Sequence, residues 1–164
     1  FGSLVIVFFY ILLRFQNWQF SLVAVSAVFH DVLIVLGIFS LTYKIMPFNM
    51  EINQAFIAAL LTVIGYSLND TVVVFDRIRE FFKIHSSWDS ETTVNTALNS
   101  TLSRTLNTSL TTLIVLTAIF IFGGESIRGF MFALIIGVMV GTYSSVFIAT
   151  PILFDSYKKR KSNL

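Results

Sequence analysis

The stretch IGYSLNDTVVVFDRIREF, residues 64–81, decides how the rest of the chain is read. It begins as a plain apolar helix and then sets Asn69 and Asp70 side by side. It returns to apolar residues at 72–75 and delivers Asp76, Arg77 and Arg79. Asp76 and the arginines mark where a helix leaves an apolar medium. Asp70 lies six residues earlier, about 9 Å along a helix axis, and so inside that medium. A bare carboxylate at such a depth costs at least about 2.5 kcal/mol, less if it is protonated, paired or wetted. Held between the cost of desolvation and the pull of a nearby cation, a carboxylate can load and release a proton. The plainer alternative is a polar contact that glues helices together.

Composition names the medium. The chain has 164 residues, is 55% hydrophobic and 12% charged, and has a mean hydropathy of +0.82. A soluble domain of this length cannot hide that much apolar surface, so lipid is the expected solvent. There is no cysteine, which excludes disulfides and thiolate metal sites. His30 and His85 are far apart and lack ligand spacing, so no metal site is expected. No glycine-rich phosphate loop, G-x-S-x-G elbow or nucleophile–base pair is present, so no enzyme is expected. The net charge is +2, with the basic residues in local groups, which suits membrane orientation rather than nucleic-acid binding. The first residue, Phe1, already sits in an apolar run without a charged n-region. The expectation is a fragment or one half of a longer polypeptide, without a signal peptide.

A spanning helix needs about 20 mostly apolar residues. Residues 20–41, 54–75, 106–124 and 130–154 meet that length. Residues 1–13 fall short, as a truncated span or a short interfacial segment would. With flanking turns the expected helices run over 1–13, 20–41, 54–82, 93–124 and 128–156 of a single transmembrane domain covering 1–164. Residues 84–96 read as a polar surface loop. Arg14, the Arg77–Arg79–Lys83 group and the run Lys158, Lys159, Arg160, Lys161 fall on one side, and only Lys44 and Arg128 on the other. By the positive-inside rule the first group is cytoplasmic, the C-terminus is inside and the first helix begins outside. The terminal basic run could also touch anionic lipid headgroups.

Polar residues within the spans are the candidates for function. On the third span Thr62, Tyr66, Asn69, Asp70 and Arg77 share about a third of the circumference. Ahead of the fourth, TVNTALNSTLSRTLNTSLTT carries a stripe of Leu98, Leu102, Leu106 and Leu110. An opposite stripe carries Ser100, Arg104, Thr108 and Thr111. Arg104 either snorkels to the membrane edge or pairs with Asp70 across a helical hairpin. His30 and Asp31 lie at the centre of the second span and point about 100° apart, for packing or for a relay. Gly137 and Gly141 form a small-xxx-small pair suited to close helix approach.

Four blocks carry a resemblance that covers essentially the whole chain. GYSLNDTVVVFDRIRE at 65–80 resembles the signature of the SecF family of protein-export membrane proteins. HDV at 30–32, SRTLNTSLTT at 103–112 and GTYSSVFIATP at 141–151 match the same family in order and spacing. The resemblance implies an all-α integral membrane fold, a bundle of five transmembrane helices like half of a resistance-nodulation-division (RND) exporter, with a first helix and a periplasmic domain missing. It implies a place in the bacterial cytoplasmic membrane beside SecD, separate or fused, and beside the SecYEG channel. There the proton-motive force would assist export of unfolded preproteins met through periplasmic domains. Protons would be the coupling ion, with no other cofactor. The family ties the Asp of its SLNDT motif, the Arg of its RTLNTS-like motif and a nearby Thr to proton conduction; these match Asp70, Arg104 and Thr108. Asn69, His30 and Asp31 carry no firm role over. Other readings of the same pattern are a proton-coupled RND-type exporter of lipid or small molecules and a non-transporting membrane scaffold.

Overall fold

The structure, a computed structural model, describes residues 2–162, with side chains through residue 156. Its helices are α1 (Gly2–Phe15), α2 (Trp18–Thr42), α3 (Gln54–Ile84), α4 (Ser90–Phe122) and α5 (Glu125–Ser144). A π-helical turn (Ser145–Ala149) leads from α5 straight into α6 (Thr150–Ser162). There is no strand among the described residues. Trp18–Thr42, Gln54–Ile84, Ser90–Phe122 and Glu125–Ser156 are long and apolar enough to cross a membrane, and α1 is a shorter apolar helix. The chain is an all-α integral membrane protein.

Local chemistry sets where the helices start. Gln16 adopts a left-handed φ of 52° and ends α1. Asn17 then caps α2 by accepting the Gln19 N–H at 3.2 Å. Asn53 caps α3 through the Phe56 N–H at 3.1 Å, and Asp89 caps α4 through the Thr92 N–H at 3.1 Å. Such side chains satisfy donors that the first helical turn leaves free. The Asp89 cap shortens the loop expected over 84–96: α4 begins at Ser90, not 93. Similarly α5 begins at Glu125 rather than 128, with an acidic residue in its first turn where the helix dipole favours it. The helical path continues past 156 to Ser162. The side chains of Lys158, Lys159, Arg160 and Lys161 lie outside those described.

α3 and α5 make the most extensive contact in the bundle. Gly137 and Gly141 permit it: a Cβ at Gly137 would sit 2.0 Å from Val63 Cγ2, and one at Gly141 3.0 Å from Ser67 Cβ. α4 packs through Thr93, Val94, Ala97, Thr101, Thr105 and Ser109. Of the leucine stripe, Leu98 packs partly buried against the core, whereas Leu106 and Leu110 are exposed. In lipid, leucine gains little by leaving the solvent, whereas small and hydroxyl side chains let backbones approach.

Two apolar clusters fill the bundle. One gathers Phe15, Phe20, Phe75, Ile78, Ala97 and Leu153 at the end that carries Arg14 and Arg77. The other gathers Val35, Phe39, Phe56, Val63, Ala133 and Leu134 toward the opposite end. Between them along α2, α3, α5 and the start of the π turn lies a polar layer: Asp31, Ser67, Asp70, Thr71, Ser144 and Ser145, all buried. At the basic end Arg14 pairs with Asp76 at 2.7 Å, tying α1 to α3. Both partners are more than a third exposed, so the pair stabilises by about 1 kcal/mol at most.

Candidate functional site

The polar layer holds two carboxylates. Asp70 is 4% exposed and Asp31 fully buried. Asp70 faces α5 and α4. The Thr142 hydroxyl lies 3.5 Å from Asp70 Oδ2 and 2.6 Å from Ser109 Oγ, and the Tyr66 hydroxyl donates to Ser109 at 3.3 Å. A chain of three hydroxyls thus leads to the carboxylate. Thr142 has a second acceptor, the Val138 carbonyl of its own helix, at 2.8 Å. Its single hydroxyl proton can be given to one of these acceptors at a time.

Asp31 sits among donors on three elements. Ser67 of α3 donates a short hydrogen bond to Oδ2. Ser144 of α5 donates to the same oxygen at 2.7 Å, and His30 Nδ1 lies 3.1 Å from Oδ1. Ser67 precedes Asp70 by three residues on α3, about 4.5 Å of rise. Both acids are served from α5, Asp70 by Thr142 and Asp31 by Ser144.

The other candidate residues fall elsewhere. Arg104 is exposed and lies within electrostatic range of Asp70. It makes no ion pair: the pairs among the described residues are Arg14–Asp76, His30–Asp31 and Arg77–Glu80. The direct Asp70–Arg104 pair is therefore absent. α4 turns Thr105 and Ser109 inward, which points residue 104 about 100° away from the line of contact. Thr108 and Asn69 are exposed as well. The Thr108 hydroxyl is engaged with the carbonyls of Arg104 and Thr105 at 3.1 and 3.0 Å. With Ser100, Ser103, Asn107 and Thr111 they form an open polar flank on α3 and α4. On the other flank of α4 a groove of about 350 Å³ is lined by Leu102, Leu106, Leu110, Met139, Tyr143 and Phe147. Ser67, Ser109, Thr142 and Ser144, which hold the two acids, were not singled out as site residues from sequence. Their only signal is a hydroxyl at helical spacing from an acid or from one another, which is common in membrane helices.

No group of three or more His, Cys, Asp and Glu residues suited to hold a metal occurs among the described residues. Fold and site define a multi-pass membrane bundle built around buried acids and hydroxyls. The sequence profile described as protein export membrane protein SecD/SecF, C-terminal, matches residues 1–159. The SecF translocase subunit of Rhodothermus marinus is 58% identical over 154 residues, 94% of this chain and 50% of that protein. That of Petrotoga mobilis is 46% identical over 159 residues, 97% of this chain and 50% of that one. Among solved structures, SecDF in its super-membrane-facing form superposes with a TM-score of 0.88 at 41% identity, over 98% of this chain and 21% of that chain. SecDF of Thermus thermophilus superposes with a TM-score of 0.84 at 42% identity, over 93% of this chain and 20% of that chain. The chain belongs to the SecD/SecF family of protein-export membrane proteins. It spans about half the length of the curated relatives it matches.

Proposed function

We propose that this bundle is the proton-coupled membrane part of an accessory subunit of the Sec protein translocase. It sits in the bacterial cytoplasmic membrane with its basic end, and hence its C-terminus, on the cytoplasmic side. The observation that carries the reading is the placement of Asp70. It is a carboxylate buried within a span, linked through Thr142, Ser109 and Tyr66, beside an open polar flank that bears Arg104, Thr108 and Asn69. The flank is the natural seat of a SecD-type half, which would bring polar partners to residues that are costly to leave facing lipid. The SecYEG channel and the unfolded preprotein engage the assembly through parts beyond this bundle. The coupling ion is the proton, and no further cofactor or hydrolytic chemistry is invoked.

The cycle follows from charge. With Asp70 ionised, Thr142 donates to it and Arg104 is drawn toward it across the α3–α4 face. Protonation removes that attraction, Thr142 turns back to Val138, and α4 is free to shift against α3. A charge moving through the membrane potential gains about 2.3 kcal/mol per 100 mV, enough to bias a two-state packing. The test is Asp70→Asn in the full-length subunit with its partner, measuring export driven by a proton gradient. Export should fall to the level seen without a gradient; export at the wild-type rate refutes the proposal.

A further inference from the structure

We propose that Asp31 is a second proton-binding site in the transport cycle, loaded through His30 and read out by Ser144 at the head of the π turn. The inference rests on the proton-driven reading above and adds a site to it. Asp31 is fully buried, whereas the His30 side chain is 38% exposed and lies 3.1 Å away. The imidazole is the link between the surface of the bundle and an acid at its centre. Few other ionisable groups share the neighbourhood. Asp70 lies one turn beyond Ser67 on α3. Tyr143 on α5 and Asp155 on α6 are exposed, and Arg14 on α1 is paired with Asp76. No lysine or arginine among the described residues pairs with Asp31. A permanent structural link at this depth could be made at lower cost by an asparagine or a serine. A carboxylate without a fixed cation, beside a titratable ring, is the arrangement that a proton needs.

The hydrogen-bond geometry accommodates both charge states. In the ionised state Asp31 Oδ2 accepts from Ser67 and Ser144, and Oδ1 accepts from His30. An imidazolium at His30 hands its Nδ1 proton to Oδ1. That leaves a neutral ring protonated on Nε2 and a neutral acid whose Oδ2, no longer sharing a negative charge, accepts more weakly from Ser67 and Ser144. The Ser144 hydroxyl then has an alternative acceptor, the Gly141 carbonyl, at 3.3 Å. Turning there releases the link from α5 to α2. This repeats the device at Asp70, where Thr142 chooses between the acid and Val138. Ser144 immediately precedes the π turn, whose Ser145 carbonyl is held by the Thr150 hydroxyl at 2.9 Å. π turns are metastable interruptions that recur at functional sites. Release of Ser144 therefore acts where the rod of α5 and α6 is least regular, and the site converts a proton into a change of helix path.

The test uses the full-length subunit with its partner in proteoliposomes. Infrared difference spectra between alkaline and acidic buffer read the carbonyl stretch of protonated carboxyl groups. The wild type should show separate components for the two acids. Asp31→Asn, which keeps size and an acceptor for Ser67 and Ser144, should remove one component and lower gradient-driven export at least tenfold. Asp70→Asn should remove the other component. His30→Gln, at a partly exposed position, should move the pH midpoint of the Asp31 component. A spectrum unaltered by Asp31→Asn, wild-type export in that variant, or an unmoved midpoint in His30→Gln overturns the proposal. Wild-type export in Asp70→Asn instead overturns the proton-driven reading, while the Asp31 component is still judged by its own band.

Discussion

Replacing Gly137 with alanine puts a methyl group where α5 meets α3. The new Cβ would lie 2.0 Å from Val63 Cγ2, 2.8 Å from Cγ1 and 2.9 Å from Cβ, whereas ordinary contact begins near 3.4 Å. Val63 is 1% exposed and cannot swing into lipid, so the helices must separate by more than an ångström. Overpacking of this kind costs about 1–3 kcal/mol, and a clash on the side of a branched, enclosed residue belongs at the upper end. Alanine regains about 0.8–1.0 kcal/mol of helix propensity over glycine. The net loss is then about 2 kcal/mol, and each kcal/mol lowers the melting midpoint by about 2–4 °C for a chain of this size. Gly37 and Gly65 serve as controls: a Cβ there meets nothing within 4 Å, so alanine should leave stability unchanged or raise it. Val63→Ala removes the two Cγ atoms that clash, and the double variant Val63→Ala/Gly137→Ala should recover much of the loss, a coupling that neighbours show and distant pairs do not. The assay is thermal unfolding of the detergent-solubilised subunit. If Gly137→Ala melts with the wild type, or if Val63→Ala deepens its loss, α3 and α5 do not approach as described here.

Two further outcomes follow. Arg104→Ala should leave the unfolding midpoint of the bundle within about 0.5 kcal/mol of wild type, as for exposed positions generally, while abolishing gradient-driven export; a strongly destabilised variant would show that Arg104 holds the helices instead. At the start of α4, hydrogen bonds from Thr92, its side chain first and its backbone second, hold the Asp89 carboxyl below its ordinary value of 3.8. A depressed folded value means that the cap's contribution is present above pH 3.8 and is lost as pH falls through the folded value. Hydrogen exchange at the first turn of α4 should therefore quicken in acid for the wild type. With Asp89→Asn, which caps without titrating, opening of that turn should not depend on pH; an acid-induced loss that persists in this variant removes Asp89 as its cause.

The spans and the place of Asp70 inside one of them are legible from sequence because both depend on local quantities. Hydropathy over about 20 residues marks a span, and an acid before a helix has left its apolar phase is conspicuous whatever it touches. Partners are not local. Ser144 reaches Asp31 across 113 residues of chain, and nothing in the period of either helix says that those two turns share a level. The inward face of α4 was harder still. Its leucines at 98, 102, 106 and 110 form a stripe at helical spacing, opposite the polar stripe of Ser100, Arg104, Thr108 and Thr111. The helix instead buries the alternate stripe of Thr93, Ala97, Thr101, Thr105 and Ser109. The expectation of an Asp70–Arg104 pair failed for the same reason, since the rotation that buries Ser109 turns Arg104 outward.

α5 presents Thr142 to one acid and Ser144 to the other, and just before them Gly141 lies against Ser67, itself a donor to Asp31. A Cβ at Gly141 would stand 3.0 Å from Ser67 Cβ and 3.3 Å from its Cα, so a small displacement of α5 against α3 is felt at Ser67 at once. The hydroxyls that serve the two acids therefore lie on one short stretch of α5. On the proton-driven proposal, a proton on either acid would alter a hydroxyl there, and the tight glycine contact would pass that change to α3, which carries Asp70 and the Ser67 link to Asp31. Coupling of this kind needs no long pathway of residues, only a stiff contact between two helices that both carry the charge-sensitive groups.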